Sequence, residues 1–426
     1  MLYKLLRLKN STIFKGGLFS IFSFFNKGLN FILLIVIAKY LAPDDYGYLS
    51  LYTTLVTLLG FFICLGSEGY MAVAYFRSSI DEFKKVVSTL LCIPFFVAIV
   101  LCIVVFVISF YSTSFLDVPI LYAFGAIIYV FLNVFVNICL DYFRIQEKII
   151  KYGIYSCSYA TLNFFITLIF IISFNSGWPG RIYSMILCAA VYYIIAYCIF
   201  FKNKLISFKS ISKEVFCSII RWGVPIIPHH ASAWIKQGCD RYIINAHYTT
   251  YEVGIFSFAL NLTNIMNMIG VAFNASNSVD IYKSLSNQSF SLDKMRTYVK
   301  RMLVFYIVVL GLIAICASLI VPALLPKYVS SLIYFYILLP CSYLQCVYFL
   351  YCNFLFYYGK NIQIMFITFG TSILHLTFSL IFTSFSLIYT ALIYSITQLV
   401  VILLIRFIVS KQLRVSVPEY KSSWIL

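Results

Sequence analysis

Two histidines, a lysine, an aspartate and an arginine interrupt one apolar stretch, "RWGVPIIPHHASAWIKQGCDRYIINAHY", residues 221–248. His229, His230, Lys236, Asp240 and Arg241 are groups that hold anions or carry protons. The stretch is long enough to cross a bilayer, since about 20 residues span roughly 30 Å of hydrocarbon. In lipid each central Lys or Arg costs about 2.5–3.5 kcal/mol. Such residues must therefore face a hydrated cavity or a bound anion. At 100° per residue, His229, Lys236 and Asp240 fall on one line of a helix, and His230, Gln237 and Arg241 on the next. Lys236 and Asp240 stand at i,i+4 and can pair, yet cations remain in excess. Pro225 and Pro228 remove backbone hydrogen bonds below the stripe, which predicts a hinge there.

Other apolar stretches repeat the theme with neutral groups. Asn26, Lys27 and Asn30 share one face of the first. Asn261, Asn264 and Asn267 recur at three-residue steps, and Asn133, Asn137 and Asp141 at four-residue steps. An amide both donates and accepts, which suits sugar hydroxyls; bonding between helices is the alternative use. His375 is isolated in its stretch and reads as a packed side chain. The thirteen cysteines form no CxxC pair and no cluster with histidine at zinc spacing. No metal site and no cofactor is expected.

The elements that must position these groups follow from composition. Of 426 residues, 62% are hydrophobic and 11% charged, which leaves too little polar surface for a water-soluble shell. The expected fold is an all-α polytopic membrane protein with about twelve transmembrane helices. The seventh is expected as one helix over 221–246. The opening residues, a basic leader followed by an apolar run, read as a retained first span rather than a cleaved signal. The formal charge of +17 is distributed by topology. Lys and Arg concentrate in alternate loops, such as 202–218 and 283–301, which places both termini in the cytoplasm by the positive-inside rule. The basic balance is therefore no signal for nucleic acid. No loop outside the spans is long enough for a folded catalytic domain, so the protein's work is done between its helices.

The two halves share a plan. Lys27-Gly28 corresponds to Lys236-Gln237-Gly238, and Asp45-Tyr46-Gly47 with Ser50 corresponds to Glu252-Val253-Gly254 with Ser257, at offsets of 209 and 207 residues. The acids fit helix starts near the positive end of the dipole. Six spans per half is an even number, so the halves are expected as parallel repeats of a transporter with its site between them. The expected division is an N-lobe over 1–201, a cytoplasmic linker over 202–218 and a C-lobe over 219–426.

Three segments carry a resemblance: "AKYLAPDDYGYLSLYTTL", "LGSEGYMAVAYFR" and "PIIPHHASAWIKQGCDRYIINAHYTTYEVGIFSFAL". The sequence resembles the Wzx-type flippases of O-antigen and capsular polysaccharide, in the multidrug/oligosaccharidyl-lipid/polysaccharide exporter superfamily. The resemblance implies a non-enzymatic transporter of the bacterial inner membrane. It would carry undecaprenyl-diphosphate-linked oligosaccharide from the cytoplasmic to the periplasmic leaflet, driven by a proton or sodium ion. A polysaccharide polymerase and chain-length machinery would be its partners. On that basis Lys27, Lys236 and Arg241 are expected to hold the diphosphate or acidic glycan, and Asn26, Asn30, Asn261, Asn264 and Asn267 to bond the sugars. Asp240 would orient Arg241 or titrate, with Glu68, His229 and His230 as further titrating groups. Two rivals stand beside this reading. A membrane polymerase would need a large periplasmic loop, and a drug or cation exporter of the same superfamily would favour an acidic cavity over a basic one.

Overall fold

The computed structural model describes residues 12–65, 69–224, 227–286 and 292–416. Fifteen α-helices follow in chain order among them. These are α1 (Thr12–Tyr40), α2 (Pro43–Cys64), α3 (Tyr70–Arg77), α4 (Ile80–Ile108), α5 (Ile120–Ile145), α6 (Ile149–Leu168) and α7 (Gly177–Lys202). Then come α8 (Lys213–Gly223), α9 (Ile227–Gln237), α10 (Cys239–His247), α11 (Thr250–Ser286), α12 (Leu292–Leu324), α13 (Ser331–Tyr357), α14 (Asn361–Phe382) and α15 (Leu387–Ser416). A hairpin of two-residue strands, β1 (Ser114–Phe115) and β2 (Val118–Pro119), joins α4 to α5.

Eleven of the helices are long and apolar enough to cross a membrane. The expected seventh span is a correction: among the described residues it is not one continuous helix, because Gly238 separates α9 from α10. Pro228 lies in α9; Pro225 lies outside the described residues.

Start signals place the other helices. Ser79 caps α4 in a reciprocal box: its Oγ accepts from the Glu82 N–H at 3.4 Å, and Glu82 Oε2 accepts from the Ser79 N–H at 3.0 Å. Helix α2 opens with Pro43, Asp44 and Asp45, and α11 with Glu252 accepting from the Thr249 N–H at 3.1 Å. Both acid-bearing starts are those expected from the repeat. Along α4, Phe95, Phe96, Ile99, Val100, Ile103 and Phe106 are exposed. Such a surface is at home against acyl chains and not against water.

Cα packing divides the chain into two compact units, Met1–Leu41 with Tyr48–Trp234, and Ala42–Gly47 with Ile235–Leu426. In the first, α1 packs on α6, α5 on α4 and α7, and α3 and α8 on α4. Residues 202–218, which include the start of α8, belong to this unit. Ser88 Oγ donates to the Leu205 carbonyl at 3.1 Å and accepts from the Ser207 N–H at 3.0 Å, and Thr89 Oγ1 accepts from the Ser212 N–H at 3.2 Å.

In the second unit α11 packs on α13, α13 and α14 on α15, and α10 on α11 and α14. Its core includes Ile281, Val299, Leu350, Phe354 and Ile405. The start of α2 meets the start of α11 through two glycines. A Cβ on Gly47 would lie 1.9 Å from the Thr250 carbonyl oxygen, and a Cβ on Gly254 would lie 1.9 Å from that of Pro43. The contact is reciprocal, and the same 207-residue offset relates both members of each pair. Only glycine allows this approach of two helix starts.

Candidate substrate and ion site

Gly238 sets the geometry of the charged segment. With α9 ended at Gln237, Lys236 and Asp240 no longer share a continuous helix, so the i,i+4 register expected of them does not form. Instead, the carboxylate of Asp240 turns to α14. His375 Nε2 lies 2.8 Å from Asp240 Oδ2, and both residues are fully buried. On its other side His375 Nδ1 is 3.2 Å from Thr397 Oγ1 of α15, and Thr397 in turn donates to the Ile393 carbonyl at 2.7 Å. His375 is thus the buried partner of the charged segment rather than an isolated packed ring. The buried Tyr394 hydroxyl stands beside the Asp240 carboxylate. A carboxylate held by a histidine and flanked by a tyrosine hydroxyl, inside a membrane protein, is a place where a cation or proton is stabilised.

Arg241 clamps the break. Its Nε donates to Ser257 Oγ of α11 at 3.1 Å, and its Nη1 donates to the Gln237 carbonyl at the end of α9. A carbonyl freed by the break thereby regains a donor. Lys236 is different. Its ammonium lies near Cys341 of α13, enclosed by protein, with no hydrogen bond or ion pair among the described residues. An enclosed ammonium without a carboxylate favours an anion beside it.

The asparagines divide between uses. Asn261 Nδ2 donates to Tyr46 OH at 2.8 Å, and Asn267 Nδ2 donates to Asn264 Oδ1 at 3.1 Å. Asn267 Oδ1 and, on α1, Asn26 Oδ1 are buried without a hydrogen-bond partner among the described residues. Lys27 and Asn30 are exposed on α1. Glu68 lies outside the described residues, as do the side chains of His229, His230 and Pro228. The structure therefore brings Asp240 and Arg241 to one break, with Lys236 just before it.

One residue carries more than its sequence position suggested. Arg181, whose place near the outer end of a span reads as an interfacial charge, is enclosed in the first unit. Its Nη1 donates to Asn163 Oδ1 and to Thr167 Oγ1, each at 2.7 Å. Thr167 Oγ1 also shares a hydrogen bond of 2.8 Å with Ser184. Around the guanidinium stand Tyr52, Tyr129, Tyr159 and Cys188, and no carboxylate among the described residues. The polar residues Asn163 and Thr167, spaced i,i+4 on α6, were the available signal.

Helices with exposed apolar flanks, a span broken at a glycine and enclosed charges define a polytopic α-helical membrane protein. The fold agrees: the lipid II flippase MurJ in an inward closed conformation superposes with TM-score 0.72 at 15% identity over 92% of this chain and 87% of MurJ. An inward-facing multidrug MATE-family transporter of the MOP superfamily does so with TM-score 0.70 at 14% identity, over 90% and 95%. Residues 15–279 match the family described as polysaccharide biosynthesis protein, and the chain belongs to it. A protein of the Lsg locus of Haemophilus influenzae is 24% identical over 369 residues, 83% of this chain and 85% of its own length.

Proposed function

We propose that this protein flips an undecaprenyl-diphosphate-linked oligosaccharide repeat unit, of O-antigen or capsule, across the bacterial inner membrane. The observation that carries the reading is the helix break at Gly238, with an unpartnered ammonium, Lys236, before it and a clamped guanidinium, Arg241, after it. Broken helices are where transporters hold ions and charged substrate groups, because free backbone ends and side chains converge there. A diphosphate supplies the anion that Lys236 lacks, as a charge-assisted contact. Lys27, Asn26 and Asn30 on α1, with Asn261, Asn264 and Asn267 on α11, contribute to the path of the head group. Family membership and the likeness to a lipid II flippase support a lipid-linked cargo.

Movement follows alternating access, with residues 1–201 and 219–426 as six-helix lobes and both termini cytoplasmic. Pro225 and Pro228 hinge the segment between α8 and α9. Asp240, paired with His375 beside Tyr394, takes the coupling cation, a proton or sodium ion; Glu68, His229 and His230 are further proton carriers on that path. A polymerase that joins repeat units receives the product.

The test is deletion of the gene, with surface polysaccharide and lipid-linked intermediates followed together. Diphosphate-linked units that accumulate on the cytoplasmic face, with none at the surface, support the flippase. Single unpolymerised units at the surface would show translocation intact and sink the proposal in favour of a polymerase. In the complemented strain, Lys236→Ala is expected to leave the deletion phenotype, whereas Lys236→Arg restores part of the transport.

A further inference from the structure

The first unit holds a cavity of about 440 Å³ between α2, α5 and the ends of α3 and α8–α9. That size falls in the range of small-molecule sites, roughly 300–1,000 Å³. Its lining is of two kinds. Phe61, Tyr129 and Trp222 supply ring faces, and Thr57, Asn133 and Asn137 supply polar groups. Both asparagines sit on α5, one turn apart.

The polar wall is pre-arranged. Tyr159 OH donates to Asn133 Oδ1 at 3.0 Å, which directs the Asn133 Nδ2 donor away from that bond. That Nδ2, and the whole amide of Asn137, have no protein partner among the described residues, and neither residue has an orphaned buried atom. Their free hydrogen-bonding capacity thus opens onto the cavity. The indole of Trp222 is seated by Gly69, where a Cβ would lie 2.5 Å from the ring. Behind Tyr129 and Tyr159 stands Arg181, a positive charge with no carboxylate beside it among the described residues, and near it the buried Tyr52 hydroxyl has no hydrogen-bond partner among those residues.

Ring faces opposite amide donors are the chemistry that recognises a sugar: apolar C–H faces stack on the rings while hydroxyls bond the amides. A guanidinium behind that wall, with no carboxylate beside it among the described residues, favours a sugar bearing a carboxylate. We propose that this cavity is a saccharide subsite of the first unit, selective for an acidic sugar residue, with Asn133, Asn137 and Tyr129 as its bonding wall and Trp222 as its stacking face. The subsite rests on the reading of the cargo as a lipid-linked oligosaccharide. It adds that the glycan is read in the first unit, apart from the charged break that holds the diphosphate in the second.

The experiment uses the full chain in lipid nanodiscs, with radiolabelled glucuronate, glucose and undecaprenyl diphosphate as three separate probes. Glucuronate is expected to bind about tenfold more tightly than glucose, through the attraction of its carboxylate to the charge behind the wall. Gly60→Leu is the cavity-filling variant: Gly60 lines the cavity, and a Cβ there meets no atom within 4 Å, so the added side chain starts in open space. It is expected to abolish saccharide binding and leave undecaprenyl diphosphate binding intact. Arg181→Gln is expected to level the two sugars. Saccharide binding that is absent in the wild type, or that survives Gly60→Leu, overturns the subsite. A glucuronate preference that persists in Arg181→Gln overturns the assigned role of Arg181. Failure of the wild type to bind undecaprenyl diphosphate is a different result and strikes the flippase reading instead.

Discussion

Replacing His375 by alanine tests the buried pair at the helix break. Both partners are fully buried, their heavy atoms are 2.8 Å apart, and His375 is held on its far side by Thr397. The substitution leaves the carboxylate without its imidazole partner. Breaking a buried pair by removing one partner costs about 3–5 kcal/mol, because the remaining group is buried and uncompensated. Asp240→Asn removes the charge and keeps an acceptor for the ring, so it is expected to cost no more than about 1.5 kcal/mol. The double variant, Asp240→Asn with His375→Ala, has no charge left to strand. It is expected to be more stable than His375→Ala alone, with a coupling of about 1–3 kcal/mol. The assay is the fraction of monodisperse protein surviving a heating series in detergent, read by size-exclusion chromatography. A double variant whose loss equals the sum of the two single losses would refute the reasoning, since the two groups would then act independently.

Three further outcomes follow from other contacts. Gly254→Ala is expected to destabilise by about 1–3 kcal/mol or more, since its Cβ would meet the Pro43 carbonyl oxygen at 1.9 Å, and Gly47→Ala by a similar amount; the same heating assay reads both, and equal losses support the reciprocity of the contact. Ser79→Ala removes the α4 cap and is expected to cost about 1 kcal/mol, seen as faster amide exchange over the first turn, whereas Ser79→Asp is expected to restore protection. Arg241→Lys keeps the charge but loses the two-armed clamp on Ser257 and Gln237, so transport of lipid-linked units is expected to fall well below that of Lys236→Arg, as followed by surface polysaccharide.

Much of the architecture is written in local pattern. Long apolar runs determine the membrane-crossing helices, because every backbone group must bond within its own helix in lipid. Acids after the loops at Pro43 and Thr249 determine where α2 and α11 begin, through the helix dipole and its unpaired N–H groups. The excess of cations in the stretch from Lys236 to Arg241 is equally a property of sequence, since charge in an apolar run is visible without coordinates.

Partnership is not. Asp240 and His375 are 135 residues apart, and only the packing of α10 against α14 makes them a pair. A histidine alone in a span carries no mark of the carboxylate it will meet. The break at Gly238 was equally hidden, since a single glycine in an apolar helix is often tolerated, and the tertiary clamp by Arg241 is what stabilises the interruption. Arg181 reads as an interfacial charge by its distance from the end of a span. The fold turns it inward because Asn163 and Thr167 present their oxygens one helical turn apart on α6, and α6 and α7 pack together. Helix lengths follow from the chemistry of single segments in lipid, whereas which charges meet depends on contacts between segments distant along the chain.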